Sequence, residues 1–302
     1  MPSGEPCYNF LIIKSGYRHD MELSTLEPID YLVIGHITQD LLDDGTYRLG
    51  GTVSYSGLTA HALGRRVGIL TSCAPELDLG AYEGIQVHAL PARQSTVFRN
   101  ISTDSGRLQY KHHSARRLDA SSVPEAWKRA SIVHLGPIAA EIDPEIFAIF
   151  PHSLLCLTPQ GWLRGFAPDG RVLPVDWTYG PTLLNAAHAV VLSLEDLHND
   201  ENKVEQWASL CSLLVVTQSD QGARVYWNGD VRRFPAPKVA LVEDTGAGDI
   251  FAACFFHRLY ATQDPWEAAR FAVRLAAASV TRRHFQSIPT SREISDALTQ
   301  II

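Results

Sequence analysis

Six short runs of branched and other apolar residues recur along the chain, at Tyr31–Ile37, Val67–Thr71, Ser131–Leu135, Leu154–Thr158, Ala189–Leu192 and Leu213–Thr217. Each is too short for a core helix, and they lack the strict polar alternation of a strand with one wet face. Strands buried on both faces belong to parallel sheets covered by helices. Helical stretches fall between and after them. Gly50-Gly51 is followed by Ser54–Leu63, closed by Gly64, and further stretches lie at Pro144–Phe150 and Lys203–Cys211. Asp249–Tyr260 and Pro265–Arg283 make up the last third. The order predicts an α/β chain with a doubly wound, mostly parallel sheet flanked by helices. Ala223–Trp227 and Val231–Phe234 flank Asn228-Gly229-Asp230, a hairpin turn.

Residues 95–113 break the alternation. Two strand-like runs surround the turn sequence Thr103-Asp104-Ser105-Gly106, which predicts an inserted β-hairpin. Such a hairpin is a lid or an interface, or else a plain surface hairpin. At ~150 residues per domain the length suggests two domains, but one sheet interrupted by a lid uses it as well. Residues 1–28 have little periodicity and read as an N-terminal extension to a single domain over 29–302.

Charge and cysteine usage narrow the function. The chain has 26 basic and 33 acidic side chains, a formal net charge of −7, and no basic run, which argues against a nucleic-acid partner held by phosphate neutralisation. No apolar run reaches the ~18–20 residues of a membrane helix, so a cytoplasmic protein with no membrane partner is expected. The five cysteines show no C-x-x-C, and the histidines no metal-ligand spacing.

The strongest local signal is Asp244-Thr245-Gly246-Ala247-Gly248-Asp249, opening a helix. Small residues let the backbone turn tightly, and the helix adds unpaired amides and a positive dipole end, which suits an anion such as phosphate. Asp249 at that terminus either caps the helix or takes a proton from a hydroxyl beside the bound phosphoryl group.

Glu243 to Asp249 resembles the D-T-x-G-A-G-D signature of the PfkB/ribokinase family of carbohydrate and nucleoside kinases. Gly50-Gly51 resembles the family's N-terminal Gly-Gly, and Gly35 with Asp40 resembles its opening G-x-x-x-x-D. The likeness runs from about Asp30 to about Pro289 and implies a ribokinase-like fold with a small β lid, often also a dimer contact. It implies ATP and Mg²⁺ as cofactors and transfer of the γ-phosphoryl group to an alcohol of a sugar, a polyol (an inositol-like ring included) or a nucleoside. Asp249 would be the base, and the amides of Gly246, Ala247 and Gly248 the anion hole. Asp40, Gly50 and Gly51 would meet the acceptor, and Arg99 in the lid, with Arg164 or Arg107, offers a basic pair for a phosphorylated one.

Departures from the pattern mark where this chain is its own. Tyr55 stands where the family has Asn, which reshapes the acceptor pocket. Thr217-Gln218-Ser219-Asp220-Gln221-Gly222 resembles the T-x-G-x-x-G nucleotide loop with Ser219 for the middle Gly. Ser193 to Asp196 takes the place of N-x-x-E, so that Asp196 holds Mg²⁺ through water or, equally, belongs to a helix cap begun by Ser193. Glu243-Asp244 replaces Asp-Thr in a stretch that helps relatives bind a monovalent cation, which puts potassium in doubt. Gln160 and Arg164, in the Thr158–Arg164 loop, are further candidates for substrate contact; Glu141 and Trp162 are weaker ones. The competing readings are a non-catalytic binding or regulatory member of the fold, and a vitamin or pyrimidine kinase of the superfamily.

Overall fold

The branched apolar runs form the middle of a nine-stranded sheet in the computed structural model, which describes residues 26–103 and 106–299. In chain order the first elements are β1 (Tyr31–Ile34), β2 (Thr38–Leu41), β3 (Tyr47–Gly50), α1 (Thr52–Ala62), β4 (Val67–Cys73) and β5 (Gln86–Pro91). Next come β6 (Thr96–Thr103), β7 (Gly106–His113), β8 (Ile132–Leu135), β9 (Leu154–Leu157), β10 (Arg164–Phe166) and β11 (Val172–Pro174). The C-terminal part holds α2 (Gly180–Ala186), β12 (Ala189–Ser193), α3 (Glu201–Leu210), β13 (Leu213–Thr217), β14 (Ala223–Trp227) and β15 (Asp230–Phe234). It ends with α4 (Ala247–Thr262), α5 (Pro265–Ser279) and α6 (Ser291–Thr299).

The sheet order is β15-β14-β13-β12-β9-β8-β1-β4-β5. All pairs from β13 to β5 are parallel, and β14 and β15 are added antiparallel. Strand alternation splits the side chains into two cores. Tyr31, Val33, Ile69 and Val215 face one apolar layer with residues of α1, α4 and α5. Leu32, Ile34, Leu70 and Val216 face the other, with Trp127, Trp162, Trp177 and Trp207. The chain runs outward from β1 in both directions, so β1 and β8 flank a topological switch point, where a crevice opens at the strand C-terminal ends. A Cβ on Gly35, just past β1, would stand 2.5 Å from the Gly136 carbonyl oxygen just past β8, so the two loops touch there.

The structure differs from the sequence expectation in several places. The first strand stops at Ile34, because His36 and Ile37 turn into β2 with their amides held by Glu141 and Thr71. The lid is a four-stranded sheet in the order β3-β2-β6-β7, not the 95–113 hairpin alone. Strands β2 (TQDL) and β3 (YRLG) are too short and polar to show as apolar runs. Pro144–Ile149 is a 3₁₀ turn rather than an α-helix, and α6 follows the two helices expected in the last third. The tip of the 95–113 hairpin at Asp104-Ser105, and residues 1–25 of the expected extension, lie outside the described residues. Of that extension, Glu27 donates its amide to Gln86 Oε1 on β5 at 2.8 Å.

Candidate active site

Gly246 caps α4 with φ of 83°, a left-handed conformation that glycine adopts without penalty. The first i→i−4 bond of α4 runs from the Ile250 amide to the Gly246 carbonyl at 2.9 Å. The amides of Gly248 and Asp249 precede it and are therefore presented at the helix terminus. Ala247 departs from the expected trio, because its amide closes the turn on the Asp244 carbonyl at 3.0 Å. A Cβ on Gly248 would meet nothing within 4 Å, so the space beside that amide is open.

Asp249 stands on the first turn of α4, over the N-terminus of α1. The Thr52 hydroxyl donates to its carboxylate, and Ser56 Oγ donates to its backbone carbonyl at 3.2 Å. Thr52 is in place because Gly51, with φ of 90°, ends β3 and starts α1 within one residue. A Cβ on Gly136 would stand 2.5 Å from the Thr52 methyl, so the switch-point loop packs tightly against Thr52. The Asp249 carboxyl keeps a little solvent contact but is surrounded by protein. Burial pushes its pKa up to about 6, the Thr52 bond and the Arg164 charge hold it down, and the Asp196 charge raises it.

Among the other sequence candidates, Arg164 and Asp196 act on this carboxyl through their charges. Asp40, on lid strand β2, lies directly over the backbone of Gly50, where a Cβ would stand 2.9 Å from its Oδ2. A Cβ on Gly51 would stand 2.6 Å from the His36 carbonyl, so both glycines permit close approach of the end of β3 to the chain around β2. Arg164 begins β10 and acts electrostatically on Asp249, while donating to the Ile138 carbonyl at 3.4 Å. Gln160 Nε2 donates to Asp196 Oδ1 at 3.0 Å, a pairing of two candidates the sequence does not show. Asp196 Oδ2 accepts from the Ser193 amide at 3.0 Å, and Ser193 Oγ accepts from the Glu195 amide at 3.2 Å, so the cap is present. Asp196 therefore has both oxygens bonded to protein, yet its charge still reaches Asp249.

Thr217 ends β13 beside Ser193 of β12, which brings the expected nucleotide loop to the same sheet edge. Ser219 has φ of 49°, so the loop keeps the left-handed turn although the residue is not glycine. Gly222 has φ of 91°, and a Cβ there would run into the Phe234 carbonyl and lie 2.7 Å from the Ala236 nitrogen.

Two candidates sit differently from expectation. Tyr55 is almost fully buried and packs its ring beneath Gly246 and edge-on to Phe285 at 5.3 Å, so it is a floor under the turn more than a pocket wall. Arg99 alternates to the lid face opposite Phe98 and closes on Asp43 at 3.5 Å; the structure does not bring it to Asp249. Sequence reading missed Thr52 and Arg48 and undervalued Glu141. Thr52 could have been found from its place just after the Gly-Gly pair.

A helix terminus with open amides and a buried carboxyl of raised pKa beside it suit phosphoryl transfer to a small hydroxylated molecule. Comparison with known proteins agrees. The model of the "pfkB family carbohydrate kinase" matches residues 182–291. Fructokinase-1 of Oryza sativa subsp. japonica is 26% identical over 276 residues, spanning 82% of this chain and 83% of that protein. Among solved structures, a pyrophosphate-dependent kinase in the ribokinase family, complexed with a pyrophosphate analog and myo-inositol, superposes with a TM-score of 0.74. It is 21% identical over 88% of this chain and 99% of the other. Arabidopsis thaliana ribokinase complexed with ribose and ATP gives 0.69, with 15% identity over 90% and 99%. The C-terminal segment of the chain thus matches the pfkB carbohydrate-kinase model, and its fold is that of ribokinase-family structures.

Proposed function

We propose that the protein transfers the γ-phosphoryl group of ATP to a hydroxyl of a sugar or polyol, with Asp249 as the general base. The observation that carries this reading is the Asp249 carboxyl, with its raised pKa, on the first turn of α4 beside the open amide of Gly248. Asp40 accepts hydrogen bonds from acceptor hydroxyls, because an ionised carboxylate offers only acceptors. Asp249 takes the proton of the hydroxyl that attacks; a carboxylate with a pKa near 6 is ionised at neutral pH and still basic enough to help. The amides of Gly248 and Asp249, fixed before the donor arrives, face the charge that develops on the transferred group. Arg164 adds a permanent positive charge on the same side.

Asp196 and Asp249 suit a hydrated Mg²⁺ held through water, since magnesium retains much of its shell and Asp196 is already bonded to protein. When bound, Mg²⁺ neutralises donor phosphate charge. The loop over Thr217, Ser219 and Gly222 suits the nucleotide, with its left-handed turns kept. A dimer through the lid and a cytoplasmic setting complete the reading.

A product-release screen over sugars, polyols and nucleosides tests it, run with Mg²⁺ and either ATP or pyrophosphate, the donor of one structural relative. Turnover of a sugar or polyol that disappears in D249N is the expected result. Binding of ATP without turnover of any acceptor would favour a non-catalytic member of the fold.

A further inference from the structure

The lid reaches the catalytic turn through one buried-edge ion pair. Arg48, on β3, places Nη2 at 2.9 Å from Glu243 Oε1 and Nη1 at 3.4 Å from Oε2. The Glu243 side chain is 17% exposed and that of Arg48 30%, so solvent screens the pair only in part. Glu243 lies three residues before Gly246, and its backbone is pinned as well. The amides of Val242 and Glu243 both donate to the Val280 carbonyl, at 2.8 and 3.2 Å. The next lid residue, Leu49, gives its carbonyl to His284 Nε2 at 2.8 Å, and His284 stands edge-on to Tyr55 beneath Gly246. Two adjacent lid residues thus grip the segments on either side of the anion-binding turn.

The family resemblance implies a monovalent cation at the stretch around Glu243, and the residues here do not fit one. The carboxylate that would bind it already faces a guanidinium of the same chain, with one hydrogen bond from Nη1 to Oε2 and the Nη2 charge 2.9 Å from Oε1. We propose that Arg48 is the resident cation of the catalytic turn: it neutralises Glu243 in place of a monovalent metal ion, frees the protein from potassium, and ties the turn's geometry to the lid. Arg48 is a positioning residue in this scheme, because it acts on the phosphoryl site through Glu243 and the backbone that follows.

The structural arm of the test does not need a substrate and so stands apart from the proposed activity. Thermal unfolding of the wild-type chain is compared in potassium chloride and in tetramethylammonium chloride at equal ionic strength. The wild type is expected to unfold within about 1 °C in the two salts. Arg48→Met is expected to unfold earlier and to gain a potassium-specific rise of a few degrees, since a cation binding only the folded state stabilises it by mass action. Glu243→Gln keeps the volume and removes the carboxylate, and no potassium response is expected from it even if Arg48→Met fails to fold. Once an acceptor is known, Arg48→Met should lose about tenfold or more in kcat with little change in acceptor KM, and Arg48→Lys should recover part of the loss. A potassium-specific rise in the wild-type melting temperature overturns the proposal. So does a potassium response in Glu243→Gln, or an Arg48→Met variant with wild-type turnover.

Discussion

The turn at Gly246 rests on the ring of Tyr55: a Cβ added to Gly246 would stand 2.5 Å from Tyr55 Cγ and Cε1. Gly246 also has φ of 83°, which costs an L side chain roughly 1–2 kcal/mol. Gly246→Ala is therefore expected to lower unfolding stability by about 2–4 kcal/mol, strain and overlap together, and turnover by about a hundredfold. Gly248→Ala separates the two effects. Nothing lies within 4 Å of its added Cβ, and alanine suits a helical turn better than glycine, so stability should hold or rise slightly. Its turnover should still fall, because the methyl would occupy the space offered to the donor. Denaturant melts beside steady-state rates check the pair; equal destabilisation in both variants would refute the geometry.

The raised pKa of Asp249 has two opposite readouts. The unfolded chain has a carboxyl of ordinary value, 3.8, and the folded chain one near 6. Between those values the folded state still holds a proton that the unfolded chain has released. Stability therefore falls as pH rises through this window. D249N carries no charge to desolvate and should be more stable than wild type at pH 7, by ~1–3 kcal/mol, while turnover is lost. Activity runs the other way if Asp249 is the proposed base, which works only when ionised: kcat/KM should climb to a plateau above about pH 6. R164M removes a charge that holds this pKa down, so its limb should move to higher pH. Melts from pH 4 to 8 and a pH–rate profile measure both.

How much of this was legible in the sequence depends on what each part presents to its surroundings. The parallel strands stood out because both faces are buried and their residues are branched and apolar. Asn228-Gly229 was readable because both residues need positive φ, here 51° and 80°. The lid was read only by half. Strands β2 and β3 are short and carry Gln39, Asp40 and Arg48, with little apolar patterning to mark them. Asp249 and its glycines were legible as a motif, but Ala247's bond to Asp244, Gln160's to Asp196 and Arg48's to Glu243 join residues that only the three-dimensional turn or fold brings together. Arg99 misled because a strand's polar residues give no sign of which face will meet the body.

Gly222 and Ser219 make a controlled comparison within the proposed nucleotide loop. A methyl on Gly222 would meet backbone on every side, at the Phe234 carbonyl, the Ala236 nitrogen and the Pro235 carbonyl carbon, and backbone cannot rotate away. The Gly222 carbonyl also accepts from the Gln218 amide at 2.7 Å, which fixes the loop's width. G222A should destabilise by about 3 kcal/mol or more and weaken the donor's KM. Ser219 is exposed, so S219A should stay within about 0.5 kcal/mol of wild type. Chemical melts with donor titrations of the two variants test this; a stable G222A would mean the loop opens more freely than its packing implies.

Glu141 joins the lid crossover to the loop under Arg164. Its carboxylate is 3% exposed and accepts from the amides of His36 at 3.0 Å, Ile138 at 3.0 Å and Ala139 at 2.7 Å. His36 leads into β2 and Asp40, and Ile138 gives its carbonyl to Arg164. One buried carboxylate thus sets the starting point of the lid and one anchor of Arg164, whose charge acts on Asp249. Glu141→Gln has nearly the same shape but offers a single acceptor oxygen and turns an NH₂ group toward amide donors. The loss of charge-assisted bonds should cost about 2–4 kcal/mol of stability. The kinetic effect should fall on both anchored groups: a higher acceptor KM through Asp40, and a lower kcat through Arg164. If E141Q melts early yet leaves both constants at wild-type values in the folded fraction, Glu141 stabilises the fold without positioning the site.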